Sequence, residues 1–157
     1  MRKEMRRNER EISKAEALEI LEKGRWGTLA VNGDDGYPYA VPVNYCMYGE
    51  NVLFHSAEAG YKFDSIKKDA KVSFSVVLSE SIVARDFTSN YESVIVFGKA
   101  RFIEDEAEKK EKLMALIKRH HSEYLEEGKE YIDRAADVTA VIEIIPEHIS
   151  GKRNAVV

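Results

Sequence analysis

Apolar and polar positions along this chain mostly alternate with a period of two, and helical spacing replaces that pattern only locally. Ser13-Lys14-Ala15-Glu16 has the form of a capping box, Ala17, Ile20 and Leu21 share one helical face, and Gly24 closes the segment. This predicts an outer helix over 13–23, preceded by a mixed-charge arm over 1–12. Trp26 to Val31 reads as the first strand, and Asn32-Gly33-Asp34-Asp35-Gly36 as a chain reversal. Tyr37 to Tyr48 reads as a single second strand. Val41, Val43, Tyr45 and Met47 fall on one face, and Ala40, Pro42, Asn44 and Cys46 on the other. Proline cannot donate to a ladder, so Pro42 marks an edge, a bulge or a place where strands part. A parted sheet frees backbone groups for a ligand, and Asn44 shares the face of Pro42. Gly49-Glu50 has the glycine-first form of a type II′ hairpin leading to a third strand, Asn51 to Ser56.

Phe63 and Ile66 then give a short helix, and Lys71 to Leu78 a fourth strand in which Val72, Phe74 and Val76 alternate with polar residues. Ser79 to Asn90 is polar and reads as an irregular loop. Tyr91 to Ile103 is a long fifth strand, where Gly98 predicts a bulge or a close backbone approach. Asp105 caps a further helix whose inner face carries Leu113, Leu116, Ile117 and His120. His120 and His121 read as helix-end residues, since neighbours on a helix cannot share one metal. Tyr124 to Asp137 is a polar connection. Val138 to Ile145 is a sixth strand stopped by Pro146, and the basic tail Ser150 to Arg153 follows. Strands that are near neighbours with short connections pair antiparallel. The expectation is therefore one mainly β domain over 1–157, a small six-stranded antiparallel barrel with flanking helices. Its long edge strands need covering, most simply by a homodimer.

Composition narrows the partners. The net charge of -4 disfavours a nucleic-acid binder, which needs a basic stripe. No apolar run approaches the ~20 residues of a membrane span. Cys46 is the only cysteine, which excludes an intrachain disulfide and suits a reducing, cytoplasmic setting. The histidines and the lone cysteine make no metal set, and no dinucleotide or Walker motif is present.

The stretch from Val52 to Asp64 carries the most chemistry. A strand ends in His55-Ser56, a turn containing Gly60 follows, and Lys62 stands at the start of a helix. Unpaired N–H groups, the helix dipole and the lysine together form a cradle for one phosphate. The plainer reading is a strand–turn–helix with a surface lysine. Asn44, His55, Ser56 and Lys62, with Tyr45, Phe54 and Tyr61 nearby, suit a mononucleotide-type cofactor better than a dinucleotide.

The ordered set GTLA (27–30), YPYAVPVNY (37–45), LFHSAEAGYKFD (53–64), VSFSV (72–76), YESVIVFGKA (91–100) and SGKR (150–153) resembles the flavin-binding split-barrel family related to pyridoxamine 5′-phosphate oxidase. Within that family it is most similar to the nitroimidazole-resistance branch. The resemblance implies a split β-barrel homodimer with FMN at the subunit interface. Val41, Pro42, Val43 and Asn44 would face the flavin ring, and Phe54, His55, Ser56 and Ala57 would line the ring and ribityl chain. Lys62 would bind the phosphate. Tyr91, Glu92, Ser93 and Val94 would come from the partner copy, and the tail with Lys152 would close over the cofactor. His55 matches the family's HSA motif as the candidate catalytic residue, or is a histidine bonded within a strand pair. The implied activity is FMN-dependent oxidoreduction between a small electron donor and a small acceptor such as a nitroaromatic compound. A non-catalytic flavin store or sensor, and a haem or deazaflavin binder, are the alternatives. Val83 to Phe87 lacks the cysteine that some members of the branch carry there, so the substrate side is expected to differ.

Overall fold

The computed structural model describes residues 4–155. Its strands are β1 (Glu11–Ile12), β2 (Trp26–Asn32), β3 (Pro38–Asn44), β4 (Cys46–Tyr48), β5 (Asn51–Ala57), β6 (Lys71–Val83), β7 (Thr88–Phe102) and β8 (Thr139–Asn154). Its helices are α1 (Lys14–Lys23), α2 (Tyr61–Lys68), α3 (Glu106–His120) and α4 (Leu125–Ala135). The strands form one antiparallel sheet in the order β3-β2-β6-β7-β8-β5-β4, with β1 paired to β8. The sheet curls until β3 approaches β5, giving a half-barrel with helices outside.

The expected period-two faces form the barrel interior. Leu29, Val43, Val52, Phe54, Phe74, Val76, Val94, Val96, Ile142 and Ile144 fill it, and α1 seals one side with Ala17, Ile20 and Leu21. A second cluster joins Leu53, Cys46 and Val141 to Leu113 and Leu116 of α3 and Ile132 of α4. The capping box forms as expected: Ser13 Oγ accepts from Glu16 N while the Glu16 carboxylate accepts from Ser13 N at 3.0 Å. Gly98 sits at the expected irregularity, where an added Cβ would lie 2.3 Å from Ile145 O.

Several expectations change, and the strand count rises from six to eight. The second strand breaks at Tyr45, so β3 pairs with β2 while β4 turns to pair with β5. Tyr45 is the corner: its N–H donates to Arg25 O at 3.2 Å, and its hydroxyl to Leu21 O at 2.6 Å. The irregular loop expected over 79–90 is instead a ribbon. β6 and β7 stay paired from Ser79↔Glu92 to Val83↔Thr88, closed by a short 3-10 turn at Ala84–Asp86. The last strand runs through Pro146 because β5 has left β8 by then, so no neighbour on that side needs the missing donor. The tail 150–153 therefore lies within β8, and the end of the charged arm pairs with it as β1. The polar connection after Tyr124 holds α4, whose Ile132 is buried. No described helix is long and apolar enough to cross a membrane.

Candidate functional site

The corner at Tyr45 is what opens the sheet. β3 has a partner only on its β2 side, and the β4–β5 pairing ends at Cys46↔Leu53. His55, Ser56 and Ala57 therefore pair with β8 on one side and face β3 across an open gap on the other. Backbone groups at both edges are left for a ligand, as Pro42 suggests. Pro42 and Asn44 on β3, and His55 and Ala57 on β5, are exposed at this gap. Asn44 Nδ2 donates to Arg25 O at 3.3 Å, which leaves its Oδ1 as an acceptor. Val43 and Phe54 point into the core, so they offer the gap main-chain atoms only. Ser56 is buried and donates to Ala57 O at 2.8 Å.

α2 begins at the end of the gap. Gly60 has a φ of +107°, a value that favours glycine, and no side chain caps the helix there. The first-turn N–H groups are thus open to an anion. Lys62 stands in that turn and, among the described residues, forms no ion pair, while Lys68 on the same helix pairs with Asp34 at 3.0 Å. The turn is held from the other side too. Tyr61 packs at a tilt against Tyr39 of β3 with ring centroids 4.7 Å apart, and its hydroxyl donates to Asp35 Oδ1 at 2.7 Å.

His55 is held below the ordinary histidine value, first by partial desolvation and then by the charges of Lys62 and His120. It is therefore mainly neutral at pH 7, with one ring nitrogen to donate and one to accept. His120 is the residue that sequence reasoning missed. Its Nε2 lies 2.8 Å from Tyr45 O, so the C-terminal end of α3 fastens the corner between β3 and β4. Next to it, Arg119 Nη2 donates to the carbonyls of Glu22, Lys23 and Gly24 at the end of α1. Helical spacing places His120 on an inner face, but its partner is 75 positions away in sequence.

Not every candidate reaches this gap within one copy. Tyr91 to Val94 lie on β7 beside the end of β8, where Ser93 pairs with Lys152 and Glu92 with Arg153. The gap instead adjoins β8 at Ala140 and Val141, a dozen residues away at about 3.3 Å per residue. Val94 is fully buried, and Tyr91 lies 3.3 Å from Arg10 Nη1. Arg153 is committed to Glu16 at 2.7 Å and Glu92 at 2.8 Å. A cavity of about 290 Å³ behind α2 (Phe63, Phe102, Val141) borders the stretch of β8 that pairs with His55 and Ser56, and one of about 310 Å³ lies beside Lys14 and Pro146. Among the described residues no cluster of His, Cys, Asp and Glu could hold a metal ion.

The sheet face at the mouth of the gap is unusual in charge. Its outward residues are the pairs Asn44–Trp26 and Val77–Ser93 and the rows Pro42, Thr28, Ser75, Ile95 and Ala40, Ala30, Ser73, Phe97. None of these is charged, in a chain of which 33% is charged. Trp26 and Val77 are each 59% exposed.

Comparison with known proteins agrees with this architecture. The structure superimposes on a candidate 5-nitroimidazole antibiotic resistance protein from Bacteroides thetaiotaomicron with a TM-score of 0.78 and 23% identity, over 90% of this chain and 85% of that one. The flavocytochrome Anf3 from Azotobacter vinelandii gives 0.80 and 22%, over 98% of this chain and 73% of that one. An FAD-binding protein from Mesorhizobium loti gives 0.66 and 23%, over 93% and 98%. At these identities the likeness shows a shared fold. No curated protein matches the sequence. The sequence profile of the family described as pyridoxamine 5′-phosphate oxidase matches residues 13–153, and the chain belongs to that family.

Proposed function

We propose that this protein binds FMN in the gap between β3 and β5 and uses it as an oxidoreductase toward a small acceptor, such as a nitroaromatic compound. The observation that carries the reading is the uncapped start of α2, with Lys62 beside it in no ion pair among the described residues, at the end of a gap edged by free backbone groups. One phosphate fits that turn. Edges with both N–H and C=O groups, and Asn44 Oδ1, fit the polar rim of a flavin ring. Flavin, when bound, supplies two-electron chemistry that side chains cannot.

The chain's own residues then have defined tasks. Lys62 and the α2 N–H groups hold the phosphate. Asn44 and the main chain of Val41–Val43 and Phe54–Ala57 orient the ring. Neutral His55 meets the acceptor or donor and can exchange a proton with it through either ring nitrogen. The uncharged face beside the gap suits a second copy of the chain, since interface centres are depleted of charge. In such a homodimer Tyr91–Val94 and Lys152 come from the partner copy. Buried Cys46, its thiol pushed up to about 12 by desolvation, agrees with a cytoplasmic protein that makes no disulfide.

The test is the visible spectrum of purified protein before and after acid release. A released flavin that co-migrates with FMN supports the reading. FAD would keep the gap and change the cofactor, whereas a haem band or a colourless protein that takes up no added FMN would overturn it. His55→Ala then separates enzyme from passive binder: FMN is kept while NAD(P)H-driven reduction of a nitroaromatic is lost. An unchanged rate removes His55 from the chemistry.

A further inference from the structure

Tyr61 spans the gap at its α2 end. It is the first residue of α2, which follows β5, yet its side chain reaches the opposite edge. Its ring lies 4.7 Å, centroid to centroid, from that of Tyr39 on β3, and its hydroxyl donates to Asp35 Oδ1 in the β2–β3 turn at 2.7 Å. The fit is close, since a Cβ added to Gly33 in the same turn would collide with the Tyr61 hydroxyl. At the other end of α2, Lys68 Nζ pairs with Asp34 at 3.0 Å. Two neighbouring carboxylates thus tie the β2–β3 turn to both ends of α2. The side chain of Tyr61 forms a bar beside the helix start that holds Lys62.

The charges at this end suit one phosphate and no more. Lys62 is the cation of the first turn, and with the open N–H groups it balances a single phosphate. Asp35 has the opposite sign. It accepts from the Tyr61 hydroxyl and from Tyr37 N at 3.0 Å, and these two neutral donors hold its carboxyl below the usual range. Its negative charge is therefore complete at pH 7, and it is in no ion pair among the described residues. Asp34 is committed to Lys68. A ligand that ends in one phosphate needs neither an exit nor a second cation. A ligand that continues through a second phosphate to a further nucleoside needs both, and it meets a phenol ring and an uncompensated carboxylate instead.

We propose that Tyr61 and Asp35 form a latch that limits the cofactor to a flavin mononucleotide: Tyr61 closes the α2 end of the gap by bulk, and Asp35 rejects a second phosphate by charge. The proposal rests on the reading of the gap as a flavin site and names the residues that choose between FMN and FAD there. The two parts support each other, because the bond from Tyr61 to Asp35 holds both the bar and the charge in place.

Flavin fluorescence reads this choice without any assay of turnover. Titrated in parallel, FMN should bind the unmodified protein about tenfold or more tighter than FAD. Asp35→Asn removes the charge and keeps an acceptor for Tyr61, so it should tighten FAD about threefold and leave FMN unchanged. Tyr61→Ala opens the bar and should tighten FAD about tenfold. Tyr61→Phe keeps the ring and should keep most of the preference. Equal affinity for FMN and FAD in the unmodified protein, or a preference that falls only because FMN weakens, would overturn the proposal and leave the flavin reading intact. FAD binding unmoved by Asp35→Asn, or by a folded Tyr61→Ala, would overturn it as well. Asp35 is exposed, so its variant tests the charge even where Tyr61→Ala fails to fold. A protein that takes up neither flavin would overturn the flavin reading and the proposal together.

Discussion

In the proposed FMN cleft Lys62 and His55 carry separate tasks, and each makes a separate prediction. Lys62→Ala removes a charge-assisted bond to the phosphate and should weaken FMN by about 1.5–3 kcal/mol, roughly tenfold or more, in a fluorescence titration. Unchanged affinity would place the phosphate elsewhere. His55 and His120 are both held below the ordinary histidine value of 6.5, chiefly by desolvation. Folded, they bind fewer protons than unfolded, so the stability they contribute is present above that value and lost as pH falls through the lowered ones. Thermal unfolding should therefore show a falling midpoint below pH 6.5, and His55→Ala should flatten part of that fall. The strand end, glycine turn and helix start that place Lys62 and His55 were legible in the sequence because their signal is local, all within thirteen residues. His120 was not, because its meaning lies in one bond to the carbonyl of a distant residue.

At the scale of elements, α3 is docked by a buried charge cluster that no local pattern announces. Glu143 of β8 is 2% exposed and accepts from Lys112 Nζ at 2.8 Å, Arg101 Nε at 2.8 Å and Asn51 Nδ2 at 3.1 Å. Desolvation pushes its carboxyl up, and these bonds outweigh that and hold it below the usual range. Glu143→Ala strands the buried Lys112 with Glu108 alone and should cost about 3 kcal/mol or more in urea unfolding. A loss near zero would mean that apolar contacts alone dock α3. Tyr45→Phe removes only the hydroxyl bond to Leu21 and should cost about 1 kcal/mol, with the edge-on packing against Phe74 retained. The alternation of Val41, Val43, Tyr45 and Met47 continues across this corner, so periodicity reads one strand where the chain changes partners. The ribbon failed for the opposite reason. Ser79, Glu80 and Ser81 are polar on both faces because no core lies beneath them, which looks like a loop.

At the scale of the molecule, the barrel was legible because its interior alternates so regularly, and the paired faces of β5, β6 and β7 formed as read. The partnership of copies was legible only as a need to cover edges. The structure locates the uncharged face that would meet that need, next to the gap. Ile95→Lys, a charge at the centre of that face, should convert a dimer to a monomer in light scattering and loosen FMN at the same time. A dimer that persists would move the interface elsewhere. Recognition of one phosphate at the start of α2 is tested most directly by a parallel titration with FMN and riboflavin, which differ only in that group. FMN should bind tighter by about tenfold or more, with the difference collapsing in Lys62→Ala. Equal affinity for the two flavins in the unmodified protein would contradict it.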